Sequence, residues 1–343
     1  MALTRRGKVA AGALAAVLVL GGVVGVLAFT GNAPAPLQRF VDTVVGRPSP
    51  CPLTGLRLGG DRRVPDRPVI GVKIGNTEEA YPLAGLNQAD VIYEELVEGG
   101  LTRFVALFQC HDARRVGPVR SARTTDPRIL TQYGGPSILA YSGSSAPVDR
   151  YLDKVDVVKL TETSAADAYA RDDTRSAPHN LYASTRPLYR AAKGAGVDLT
   201  SPEAIFAFDE EPADRGKRAR SASVTFSFAT TAEWTWSGGR WVRLFEGSPM
   251  TLEDGEPLAV DNVLIQQVRV RPGIGSSPDV TLTGSGRAWL LRGGRVVVGR
   301  WTRPSLGDVT TFETRGGDEL TLAPGTTFVE LVPKDGGDVT IGR

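Results

Sequence analysis

The hydrophobic positions of this chain fall into three patterns. An uncharged, largely apolar run spans Val9–Phe29, behind Arg5, Arg6 and Lys8. Short continuous apolar runs then recur through the first half, as in Pro68-Val-Ile-Gly-Val-Lys-Ile74. Beyond Ser221 the runs alternate and are cut at Gly238-Gly239, Asp254-Gly255, Gly293-Gly294 and Gly316-Gly317.

Each pattern predicts elements. The first run would be about 30 Å long as a helix, enough to cross a bilayer. The continuous runs predict strands buried on both faces: Pro68–Ile74, Ser137–Tyr141, Val155–Leu160, and a pair within Ala89–Cys110 joined at Gly99-Gly100. Helices are expected at Pro127–Tyr133, Pro147–Leu152, Arg186–Ala195 and Pro202–Phe208, and loops at Arg171–Arg175 and Pro178–Leu181. The alternating second half predicts short antiparallel strands. The fold class is therefore α+β. A membrane anchor or signal sequence (1–30) and a proline-rich tether (31–50) precede a mixed α/β domain with a central sheet (51–208). A polar linker (209–221) leads to a smaller, mainly antiparallel β domain (222–343).

The predicted hairpin can be given a register. A two-residue turn at Gly99-Gly100 pairs Glu98 with Leu101, Leu96 with Arg103 and Glu94 with Val105. Arg103 then lies diagonal to both Glu94 and Glu98, and it either neutralises them in a buried ion network or presents its charge to a ligand. Apolar residues on both faces predict that these strands are central in their sheet.

Charge and cysteines set the surroundings. Positive charges before the apolar run place the rest of the chain outside the cytoplasm. An uncleaved anchor fits the length of the run, and a secreted protein after signal cleavage is the alternative. Net charge is only +2, and no basic stripe is interleaved with aromatics, so nucleic acid is not an expected partner. The two cysteines, Cys51 and Cys110, could form a disulfide in that compartment or remain separate buried thiols.

The candidate chemistry centres on Gly117-Pro-Val-Arg-Ser-Ala-Arg123. Arg120 and Arg123 flank Ser121. Asp126 followed by Pro127 predicts a helix start capped by the aspartate. Guanidinium groups, with Arg103 joining them, would converge there and suit a phosphate or carboxylate. Ser142-Gly-Ser-Ser145 follows a strand, so Ser142 and Ser144 are added as ligand-binding candidates, although an ordinary tight turn explains the run equally. Asp90, Glu94 and His179 are the candidate proton-transfer groups. Glu94 and Glu98 lie about 13 Å apart along a strand, too far for a hydrolytic pair. Neither a histidine pair nor Cys-x-x-Cys occurs, so no metal and no cofactor is expected. The five tryptophans fall in the second half, most of them expected in its core.

Several runs together resemble the YerB-like bacterial lipoproteins, a family of unknown function with a separate C-terminal domain. They include Val97-Glu-Gly-Gly-Leu-Thr-Arg103, Gly117–Arg123, Ala177-Pro-His-Asn180, Gly299-Arg-Trp301 and Leu322-Ala-Pro-Gly325. The resemblance covers roughly residues 51–343 and implies an extracytoplasmic, envelope-associated protein without assigning an activity. The lipid-attachment cysteine of those lipoproteins is missing, and an apolar helix would replace it. The leading expectation is a tethered protein whose first domain binds an anionic wall component or lipid-linked precursor through Arg120 and Arg123, with Arg103 as a further candidate, and whose β domain contacts glycan or an envelope protein partner. The alternatives are a phospho-transferase or hydrolase on the same ligands, and a scaffold with no small ligand.

Overall fold

The uninterrupted apolar runs of the first half become strands, the first four largely buried on both faces and the fifth, at the end of the sheet, partly exposed. They are β1 (Ile70–Asn76), β2 (Val91–Leu96), β3 (Thr102–Phe108), β4 (Ile138–Ala140) and β5 (Val158–Leu160). The computed structural model describes residues 49–59, 63–210 and 216–343. Cys51–Leu56 and Pro65–Arg343 form one compact unit that holds all these strands. Val9–Phe29 lies outside the described residues. Among the described ones, no helix is long and apolar enough to cross a membrane.

A single 12-stranded sheet takes strands from both halves of the chain. Its first-half portion runs β2-β3-β1-β4-β5, and β2 is flanked on its other side by Thr327–Pro333 and then Asn262–Pro272. Residues Val91–Glu94 of β2 pair in parallel with Thr327–Glu330. β3 is antiparallel to both β1 and β2. β1, β4 and β5 are parallel to one another, as are β2, Thr327–Pro333 and Asn262–Pro272. All six of these parallel strands therefore end on one edge, at Asn76, Leu96, Ala140, Leu160, Pro272 and Pro333. β3 begins at that edge.

Both faces of the sheet are covered. A second, six-stranded antiparallel sheet from the C-terminal half packs on one face, where Trp234 meets the Phe328 ring edge-on at 4.9 Å. The helix Thr185–Gly194 shares that core through Leu188, Tyr189 and Ala192. The helices Thr125–Leu130 and Ala146–Leu152 cover the other face. Cys51 is disulfide-bonded to Cys110, just beyond the far end of β3.

Two expectations are corrected by local geometry. The β2–β3 turn holds three residues, because the Val97 N–H donates to Leu101 O at 2.7 Å and Gly99 and Gly100 both adopt positive φ. Glu94 therefore faces Phe104, and Glu95 faces Arg103. The shift of one residue sends Glu94 and Arg103 to opposite faces. Residues 202–208 form no helix. Ala207 O and the Asp209 N–H instead bond the backbone of Leu322, so this apolar segment is spent as an extended one.

Candidate functional site

The arginine motif lies on the edge where the parallel strands end. Residues 118–122 lie between the end of β1 and the loop after β4. The Arg120 N–H donates to Lys73 O at 2.9 Å, the Ser142 N–H to Arg120 O at 3.0 Å, and the Ala122 N–H to Gly143 O at 3.0 Å. Gly75 makes room for Arg120, since a Cβ there would sit 2.9 Å from the Arg120 Cγ. Arg103, the second residue of β3, reaches the same segment and donates to Ser121 O at 2.9 Å.

The three guanidinium groups are not equivalent. Arg123 is 8% exposed, and its Nε and Nη2 both donate to Glu98 Oε2, at 2.9 and 2.5 Å. Its Nη1 donates to Ser121 O and Ala122 O. Arg120 donates once, to Pro178 O at 3.0 Å. Neither Arg103 nor Arg120 forms an ion pair with a carboxylate among the described residues. Burial, then the neighbouring Arg123 and Arg120, pull Arg103 down to about 10. Burial and Arg123 likewise lower Arg120, against the pull of Glu79. Of the two readings for Arg103, the buried ion network is therefore not what forms. Glu98 goes to Arg123, and Glu94 goes to the other face.

A fully buried triad lies beneath. The Lys73 Nζ bonds Glu95 Oε1 and, at 2.7 Å, Asp126 Oδ1, with all three side chains sealed from solvent. Burial pushes Glu95 up to about 7, against the attraction of Lys73. Asp126 was expected to cap a helix from outside. It lies inside the first turn instead, and its Oδ2 accepts the Arg123 N–H at 2.7 Å. The triad thereby positions the backbone that carries Arg123.

The remaining candidates separate. The Ser142 Oγ donates to Glu162, and Glu162 also pairs with Arg171, which bonds Asn180. Ser144 is half-buried and bonded to Asp149. His179 lies beside Arg120, with a buried Nδ1 that has no partner. Burial and then Arg120 hold its pKa below the usual value, so the ring is neutral at pH 7. Asp90 sits at the opposite end of β2, where it accepts the N–H groups of Gln109 and Cys110 and bonds His111 at 2.6 Å. Glu94 is buried between the two sheets on Arg243 at 3.0 Å, and the same arginine holds Glu330 at 3.0 Å. Among the described residues, no group of three His, Cys, Asp or Glu side chains could hold a metal. Trp234, Trp241, Trp289 and Trp301 are all buried.

The triad carried little sequence signal. Lys73 was visible as a lone lysine within an apolar strand, which requires a buried partner. Glu95 emerged only once the hairpin register was known.

Two family models match the chain: the N-terminal domain described as protein of unknown function (DUF3048) over residues 53–198, and its C-terminal domain over residues 222–329. YerB of Bacillus subtilis, named as a candidate lipoprotein, is 29% identical over 292 residues, or 82% of this chain and 86% of that protein. The crystal structure of Bacillus subtilis YerB matches with a TM-score of 0.72 at 26% identity. The match covers 85% of this chain and 99% of that one.

Proposed function

The chain belongs to the DUF3048 family, and from that membership and the arginine edge we propose that it is an envelope protein that binds an anionic wall component or precursor. One observation carries this reading. Arg103 and Arg120 share a cluster in which, among the described residues, the one carboxylate that pairs with a guanidinium group, Glu98, is already taken by Arg123. Unpaired, partly buried guanidinium groups repel one another and are relieved by an anion. The placement follows the rule that ligands of open sheets with parallel strands bind beyond the strands' carboxyl ends.

The name of the Bacillus relative and the apolar run Val9–Phe29 support attachment to the membrane, with the folded part on the extracytoplasmic side. The Cys51–Cys110 bridge accords with an oxidising compartment. Binding is preferred to phosphoryl transfer because Asp90 and Glu94 are tied up away from the cluster. It is preferred to a ligand-free scaffold because two of the three guanidinium groups have no carboxylate.

The test is binding of a polyprenyl phosphate in detergent micelles. Arg103→Ala and Arg120→Ala should each weaken binding roughly tenfold or more, the range of one charge-assisted hydrogen bond. Affinities equal to wild type would reject the site.

A further inference from the structure

The same sheet edge carries a second opening beside the arginine cluster. A cleft of about 640 Å³ is lined by Leu96, Phe228, Arg271, Ser277 and Asp335, among others. Phe228 is 97% exposed, far more than any other large apolar side chain described.

The β2–β3 turn joins this cleft to the cluster. On one side Glu98 holds Arg123. On the other, Gly100 O accepts the hydroxyls of Ser227 at 2.5 Å and Thr230 at 2.9 Å, which fixes the loop that presents Phe228. The Phe228 ring lies against this turn, since a Cβ on Gly100 would stand 3.3 Å from its Cε1.

We propose that this cleft binds a sugar ring, and that the ligand of the edge is an anionic glycan whose charge rests on Arg103 and Arg120. A sugar ring offers an apolar C–H face and a rim of hydroxyls. Phe228 supplies the flat surface, and Arg271 and Asp335, both exposed, supply the polar partners. The volume lies within the usual range for small-molecule sites. The assignment of charge rests on the anion-binding reading above; the assignment of the ring does not.

The experiment titrates the protein with three probes: neutral chitotetraose, inorganic pyrophosphate, and phosphatidylglycerol vesicles. Phe228→Ala removes an exposed side chain and should fold normally. It should abolish chitotetraose binding and leave pyrophosphate binding unchanged. Arg103→Ala with Arg120→Ala should do the reverse. If wild type does not bind chitotetraose, or Phe228→Ala binds it equally well, the glycan assignment is overturned. Phe228-dependent binding to vesicles but not to the sugar overturns it in favour of a membrane contact. Sugar binding without pyrophosphate binding retains the ring site and rejects the anion site.

Discussion

Lys73, Glu95 and Asp126 put one cation and two carboxylates out of reach of water beneath the arginine cluster. Removing charges from water is costly, and the trio persists because each member bonds another. The cost has a pH signature. Glu95 titrates from 4.5 when unfolded to about 7 when folded. Its folded pKa is raised, so between these values the folded state holds more protons than the unfolded one. Stability from this group is thus full below about pH 4.5 and is lost as pH rises towards 7. Unfolding free energies from urea titrations between pH 5 and pH 8 should show this decline as a few kcal/mol at most. Glu95→Gln should flatten it, and a variant with an unchanged decline would show that another group is responsible.

At the scale of elements, the two sheets meet through a polar contact inside an apolar core. Arg243, from the smaller sheet, lies between Glu94 of β2 and Glu330 of the strand paired with it. Burial and the neighbouring Glu94 push Glu330 well above the usual carboxylate range. Arg243→Met leaves two glutamates facing each other without a cation. It should lower the unfolding free energy by about 3–5 kcal/mol, measured by denaturant titration; a loss below about 1 kcal/mol would mean the glutamates are already neutral. Elements of this kind were unevenly legible in the sequence. The apolar strands and their central position followed from composition on both faces, because burial on two sides leaves no alternation to misread. The pairing of Glu94 and Glu95 did not follow. A two-residue and a three-residue turn both accept Gly99-Gly100, and that single residue decides which glutamate meets Arg103. Residues 202–208 misled for a related reason. Helical spacing of apolar residues says nothing of a distant strand end such as Leu322 that captures their backbone.

For the whole molecule, β2 is joined to Thr327–Pro333 in one continuous sheet, so residues 51–208 and 222–343 share a hydrophobic core. We expect one cooperative unfolding transition. All five tryptophans lie beyond Ser221. Their fluorescence and the far-UV circular dichroism of the whole chain should therefore change at the same denaturant concentration. Two separated transitions would contradict this. The sheet also gathers Arg103, Arg120 and Phe228, 125 residues apart from first to last, onto one edge. Sequence spacing could mark Arg120 and Arg123 as a pair. It could not mark which of them stays free, since Glu98 selects Arg123 only in the folded hairpin. The most direct test of the account is calorimetric titration of polyprenyl phosphate micelles into wild type and the Arg103→Ala, Arg120→Ala double variant. The expected result is saturable binding by wild type and at least about a hundredfold loss in the variant, two charge-assisted bonds removed together. Binding of equal strength to both would contradict it.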